Sequence, residues 1–238
     1  METSRKIAII VGILFIIATV ATIISSVFTT PYLEVQDYLS QDSANETQMI
    51  IGLLFLLITA ITVVGIAVMM YPLLNKHHEI VAVGYLSARL VEGVLLFISA
   101  LALLTLMTLS QEFETTGFTS ISNFQAGRTL LRTVSDWAFS LGVGFIFALS
   151  ALILNYSLYQ SRIVPRWLSA WGFIGAVLLL AGHMSQYFRV NPPGILDLPI
   201  ALQEMVFAVW LIVRGFGPTA LATEPAKTEM NEAQLSLP

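Results

Sequence analysis

The chain has 238 residues, of which 56% are hydrophobic and only 11% charged, and its mean hydropathy is +0.81. Soluble domains carry about 25% charged residues, so this composition excludes a soluble globular domain, and the high apolar content excludes a disordered chain. A net charge of −4 argues against a nucleic-acid partner, which requires a basic face. The absence of cysteine excludes disulfides, thiolate metal sites and thiol nucleophiles. The class that remains is an all-α polytopic membrane protein.

Six apolar stretches approach or exceed the length of about 20 residues that a helix needs to cross a bilayer. They cover residues 7–28, 49–74, 81–109, 134–159, 164–184 and 198–213. Backbone polar groups in lipid must be hydrogen-bonded within their own segment, so long continuous apolar stretches predict helices. We therefore predict one domain over residues 1–217, a bundle of six transmembrane helices, and a disordered cytoplasmic tail over 218–238. The sixth stretch is short for a span unless its helix starts in the preceding loop.

The segment 110–133, between the third and fourth stretches, contains Phe124, Leu130 and Leu131 among polar residues. Apolar residues scattered in this way favour an interfacial helix. We expect this segment to lie on the outer surface, where it could cover an outward-facing cavity.

Lysine and arginine in short loops predict the orientation, because they are enriched on the cytoplasmic side. With a cytoplasmic N-terminus, seven of the eleven fall inside and three, Arg128, Arg132 and Arg189, fall outside. The seven are Arg5, Lys6, Lys76, Arg162, Arg166, Arg214 and Lys227. We therefore predict a plasma membrane protein with both termini in the cytoplasm.

The third stretch carries polar residues on one helix face. Tyr85, Arg89, Glu92 and Ser99 follow one another at intervals of four, three and seven residues, which keeps them on the same side of a helix. Glu92 falls near mid-membrane, where ionisable groups are costly and are candidates for function. Arg89 and Glu92 can pair directly as i, i+3 neighbours. Two hypotheses remain open: a packing ion pair, or a polar cavity that holds a head group, a carboxylate or a proton.

A second candidate site comprises polar residues that enter the membrane from the outer side. Its members are Asp136, Ser140, His183, Gln203 and Glu204. Asp136, His183 and Glu204 would suit a divalent metal and metal-assisted hydrolysis, but no spaced metal-binding motif accompanies them. The simpler interpretation pairs Asp136 with Arg132, lets Glu204 either snorkel to the surface or pair with Arg189, and leaves His183 in the interface. We predict no metal and no cofactor.

Small residues four apart predict close helix approach in the third and fourth stretches. The pairs are Gly84 with Ala88 and Gly144 with Ala148.

Three stretches resemble one known family. The first is the junction 159–172, which contains Pro165-Arg166-Trp167-Leu168. The second begins at Tyr71-Pro72 and continues through Gly84-Tyr85 to Arg89 and Glu92. The third runs from Asp136 to Gly142 and Gly144.

Together these stretches make residues 50–215 similar to a bacterial multi-pass membrane family known only as domain of unknown function 4386. The resemblance implies an inner-membrane protein of about six helices with no established activity, so no catalytic residue carries over. His183 departs from the family pattern, which has an apolar residue or tyrosine there.

Three classes of function remain. The first is a non-enzymatic binding or transport-like protein, with the polar cavity at Arg89 and Glu92 open to a membrane lipid or a small amphiphile. The second is an accessory or structural subunit of a partner membrane protein, in which the buried charges serve packing. The third, ranked below both, is an intramembrane metal-dependent hydrolase.

Overall fold

The computed structural model describes residues 2–34, 43–116, 121–190 and 194–217, and the described elements are helical throughout. Seven α-helices are α1 (Glu2–Glu34), α2 (Ser43–Asn75), α3 (Glu79–Thr116), α4 (Ile121–Phe139), α5 (Phe147–Ser161), α6 (Arg166–Tyr187) and α7 (Leu198–Val213). A π-helical segment, Ser140–Ile146, joins α4 to α5, and a 3₁₀ turn, Gly194–Leu196, precedes α7. The predicted tail over 218–238 lies outside the described residues.

Six helical segments are long and apolar enough to cross a membrane, as the sequence predicts. The fourth segment is a single helix over Ser122–Ser161, because α4, the π-helical segment and α5 run on without a break. The sixth segment covers Gly194–Val213. Its helix is lengthened by the 3₁₀ turn in the preceding loop, which resolves the shortness of the apolar stretch. The fold is therefore that of a multi-pass membrane protein.

The predicted interfacial helix over 110–133 is wrong. Helix α3 continues to Thr116 and α4 already begins at Ile121, so most of this segment extends two membrane-crossing helices. Phe124 is only 2% exposed and stacks on Phe113 with ring centroids 4.2 Å apart. Phe124 thus packs between paired helix ends, whereas Leu130 is 64% exposed.

The six spans form a closed ring in which each packs on the next and α7 returns to α1. Large side chains such as Tyr85, Ile66, Met70 and Phe207 are fully buried between the helices. Other apolar side chains, among them Leu101 at 64% exposure, cover the outside of the ring. An apolar exterior is what the hydrocarbon of a bilayer requires of a spanning bundle.

The face of the bundle where α1 begins and α7 ends is called the basic face here. Its cationic residues are Arg5, Lys6, Lys76, Arg162, Arg166 and Arg214. Near this face α1 and α7 are in close contact. A side chain at Gly12 would place its Cβ 2.7 Å from the carbonyl oxygen of Ala208, and the rings of Phe15 and Phe207 meet edge to face at 5.4 Å. Glycine at position 12 is therefore required for the ring to close.

Arginine side chains from neighbouring helices cap the C-terminal ends of α7 and α1. The Arg5 guanidinium donates to the carbonyl of Ile212 at 2.6 Å and to two adjacent carbonyls at 3.2 and 3.3 Å. On the opposite face, Arg132 donates to Leu33 at 2.6 Å and Arg128 to Tyr32 at 3.4 Å. The last carbonyls of a helix lack partners within the helix and carry partial negative charge, so these cations satisfy them and join the helices.

We expect Arg5→Gln to lower the free energy of unfolding by about 1–2 kcal/mol, because the variant removes the charged group that donates several hydrogen bonds to α7 carbonyls. Lys6→Gln is the matched control, since Lys6 is the adjacent cation and is exposed. Thermal unfolding of both variants in mild detergent measures the difference. Equal stability of the two variants would show that the cap contributes nothing.

Candidate functional site

The predicted ion pair between Arg89 and Glu92 is present at the centre of the bundle. Nη1 of Arg89 lies 3.1 and 3.3 Å from the two carboxylate oxygens of Glu92, and both residues are only 2% exposed. Adjacent turns of α3 thus supply both partners, as the i, i+3 spacing predicts. A charge pair this deep is stabilising only where its geometry and hydrogen bonding are good.

Glu204 of α7 is the third member of this charged cluster. Its Oε1 lies 3.8 Å from Nη2 of Arg89, and its side chain is 18% exposed. The predicted partner of Glu204, Arg189, is wrong. Arg189 follows the end of α6 in an exposed turn with φ 60°, whereas α7 turns Glu204 inward toward α3. The cluster therefore connects the third span to the last.

Aromatic rings complete the surroundings of Arg89. The guanidinium carbon lies 5.6 Å from the ring centroid of Tyr85 and 4.8 Å from that of Phe147. Ring faces attract a cation, and more so where water is excluded. Arg89 is nevertheless not fully satisfied, because its buried Nε has no hydrogen-bond partner among the described residues.

A cavity of about 290 Å³ opens onto the charged cluster. Most of its wall is apolar, contributed by side chains from five parts of the bundle. They include Phe15, Val63, Ile66, Phe147, Leu179 and Ile200. Arg89, Glu92 and Glu204 form its polar end. The cavity thus has a charged end and an apolar wall, and an amphiphile has the same two parts.

The open side of this cavity lies between α1 and α7, away from the basic face. Closer to the basic face the two helices touch, at Phe15 and Phe207 for example. Farther along, Ile23 of α1 and Asp197 at the start of α7 line the cavity and are themselves more than half exposed. A ligand could therefore reach the cavity between these two helices.

His183 and Asp197 lie together at the rim of the cavity. Nε2 of His183 is 3.9 Å from the Asp197 carboxylate, and Nδ1 is 3.4 Å from the hydroxyl of Ser140. The predicted residues Ser140 and His183 are therefore brought together, and His183 belongs to the cavity instead of the interface.

Asp136, Ser99 and Gln203 lie outside the cavity. Asp136 pairs with Arg132 at 3.7 Å in an exposed position, as the i, i+4 spacing predicts. The buried hydroxyl of Ser99 hydrogen-bonds Ser135 at 2.8 Å, so Ser99 shares the buried face of α3 but not the charged cluster.

Gln203 belongs to a separate buried network that the sequence does not reveal. Its amide donates to the carbonyl of Leu168 at 3.3 Å and to Asn155 at 3.5 Å. Asn155 is 3% exposed, and its amide occupies the space left by the absent side chain of Gly172. In the sequence, this network is indicated only by Asn155, an asparagine within an apolar span. Its partner Gly172 lies on another helix, so the pair is not visible from spacing.

The three residues of the hydrolase hypothesis do not converge. Asp136 is held by Arg132, Glu204 by Arg89, and His183 lies beside Asp197. Within the described residues, no group of three His, Asp or Glu side chains is placed to hold a metal ion. The described residues therefore do not bring together the three predicted ligands Asp136, His183 and Glu204.

Gly144 of the π-helical segment provides the space for His183. A Cβ at position 144 would overlap the imidazole ring. At Gly84, where close helix approach is also predicted, the nearest atom to such a Cβ is 3.9 Å away, so that prediction is wrong. A π-helical turn is wider than an α-helical one and often accompanies a functional site. Here it brings Phe139, Val143 and Phe147 to the cavity wall.

Comparison with known proteins places the chain in one family. The family described as "Domain of unknown function (DUF4386)" matches residues 10–215, which is most of the chain. The chain therefore belongs to this family, as the resemblance in its sequence indicates. No curated protein matches the chain, and no solved structure does.

We expect Arg89→Gln to lower the free energy of unfolding by about 3 kcal/mol or more, because two buried carboxylates lose their cation. Asp136→Asn, which breaks an exposed ion pair, should change it by less than about 1 kcal/mol. Chemical denaturation in detergent measures both variants. If Arg89→Gln and Asp136→Asn lowered the free energy of unfolding by similar amounts, the central cluster would be solvated by water.

Gly144→Ala should be destabilising by about 1–3 kcal/mol, because the added methyl group displaces the His183 ring. Gly84→Ala is the control and should be neutral, since space for a methyl group exists there. Adding His183→Ala to Gly144→Ala should recover part of the loss, as expected for coupled neighbours. Additive losses in this double-mutant cycle would exclude the overlap as the cause.

Proposed function

We propose that this protein binds a membrane lipid or a small amphiphile inside the bilayer, in the cavity between α1 and α7. The observation that carries the proposal is the cavity itself, which reaches from the exposed residues Ile23 and Asp197 to Arg89, Glu92 and Glu204. Binding of this kind requires no chemistry on the ligand, so the protein acts as a receptor, carrier or transport-like protein for it.

The shape and polarity of the cavity support an amphiphile over a soluble solute. Its wall consists mainly of Phe, Val, Ile and Leu side chains, which suit an acyl or alkyl chain. Its polar end lies about 14 Å from the end of α7, counting nine residues from Glu204 to Val213 at 1.5 Å each. A head group held there would stand near the middle of a bilayer about 30 Å thick, with its chain still in apolar surroundings.

A pure packing role explains the ion pair but not the space beside it. Charges that served packing alone would be enclosed by side chains, whereas here a cavity of about 290 Å³ with an apolar wall reaches them. The cavity therefore favours binding over the accessory-subunit hypothesis.

The distribution of charge supports a location and an orientation for this activity. Among the described residues, the basic face carries six cations at the helix ends, the pattern typical of the cytoplasmic side of a bacterial inner membrane. With that face inside, the open side of the cavity faces the outer leaflet. We infer that the ligand enters from that leaflet.

Filling the cavity should abolish binding. Ala201 lines the cavity, and Val209, on the same helix, is 54% exposed on the lipid side. We expect Ala201→Trp to weaken binding of tritiated dodecanol by about tenfold or more, and Val209→Trp to leave it unchanged. Scintillation proximity on the protein in phosphatidylcholine nanodiscs, with empty nanodiscs subtracted, measures both.

Equal binding by the two tryptophan variants would overturn the proposal, since the dodecanol would then reside elsewhere. Native mass spectrometry of the wild-type protein from mild detergent gives an independent test. A co-purified lipid or metabolite should be lost in Ala201→Trp. A second protein chain in its place would favour the accessory-subunit hypothesis.

A further inference from the structure

The side chains that line the cavity carry an excess of negative charge. They include one guanidinium, that of Arg89, and three carboxylates, those of Glu92, Glu204 and Asp197. His183 is the remaining ionisable group of the lining. With all three carboxylates ionised, the formal charge is −2 with a neutral imidazole and −1 with a protonated one.

Arg89 lies closer to the carboxylate of Glu92 than to that of Glu204. Its Nη1 donates to both oxygens of Glu92, whereas its closest approach to Glu204 is 3.8 Å, too long for a hydrogen bond. Among the described residues, none donates a hydrogen bond to Glu204. Its side chain also remains 18% exposed, the largest exposure among these three charged residues. Glu204 is thus the carboxylate with free lone pairs at the polar end of the cavity.

An uncompensated carboxylate near mid-membrane is energetically unfavourable, because little water is present to solvate it. A cation from outside the protein would neutralise it. The cavity wall adds to this preference, since Phe15, Phe139 and Phe147 line it and ring faces attract cations. An anionic head group would instead meet three carboxylates and an arginine that Glu92 already occupies.

We propose that the ligand of this cavity is a cationic amphiphile, a long-chain amine whose ammonium group pairs with Glu204. The ammonium provides three donors for the carboxylate oxygens, and the alkyl chain lies along the apolar wall toward the gap between α1 and α7. This assignment rests on the proposed function, because it specifies the ligand class of the same cavity.

A matched series of twelve-carbon amphiphiles tests the charge of the ligand. Dodecylamine is positively charged at pH 7, dodecanol is neutral and dodecanoate is negatively charged, while all three share one chain. Competition of each against tritiated dodecanol, on the protein in phosphatidylcholine nanodiscs, gives the relative affinities. We expect the amine to bind about tenfold or more tightly than the alcohol, and dodecanoate to bind most weakly.

Two variants assign the selectivity to Glu204. Glu204→Gln removes the charge and keeps the size, so the ratio of amine to alcohol affinity should fall to about one. Glu79→Gln is the control, because Glu79 is an exposed carboxylate at the start of α3, outside the cavity, and its loss should change neither affinity. Elution of each variant as a single species in mild detergent shows that it is folded. The wild-type ratio tests the charge class even where a variant fails to fold.

The outcomes separate this inference from the proposed function. Equal affinity for the amine and the alcohol, with Ala201→Trp still weakening both, would refute the cationic ligand and leave the binding function intact. Such a result would mean that Glu204 is neutralised by a proton. Tighter binding of dodecanoate would also refute it, as would amine selectivity that survives Glu204→Gln. Absence of binding by all three compounds would overturn both proposals.

Discussion

A guanidinium in the low-dielectric middle of a membrane must be paired, and this constraint sets the relative positions of α3 and α7. Arg89 and Glu92 come from neighbouring turns of one helix, so their pairing alone could form in an isolated hairpin. Glu204 can reach Arg89 only when the last span has docked. The charged cluster therefore links an early helix to the last one. The same cluster forms the polar end of the cavity, so folding and the candidate site depend on the same three side chains.

The helix ends impose a second constraint on the ring. Arg5 binds the end of α7, while Arg128 and Arg132 bind the end of α1, so these two helices are fastened at opposite faces by different partners. At the basic face, Arg5 joins α1 to α7. Farther along, Ile23 and Asp197 of the two helices line the cavity and are exposed. The proposed ligand would enter there.

The sequence predicts the number and approximate position of the spans because apolar length is a local property. It also predicts the pairs Arg89–Glu92 and Arg132–Asp136, which depend only on helical spacing. The partner of Glu204 depends on how α7 rotates against α3, and spacing along one helix carries no such information. The interfacial interpretation of the segment 110–133 fails for a related reason. Helices α3 and α4 extend past their apolar stretches into this polar segment, whereas composition indicates only where each apolar stretch ends.

The π-helical segment gives the fourth span one place that can lose a residue. In a regular helix each residue advances the chain by about 100° around the axis, so a deletion elsewhere in this span would turn all that follows by about a quarter of a circle. The residues of Ser140–Ile146 follow a wider path, in which each residue turns the chain by less. Deleting one residue there would favour an ordinary helical turn and leave the rotation of α5 relative to α4 nearly unchanged. The part of the cavity wall that α5 contributes would then keep its orientation.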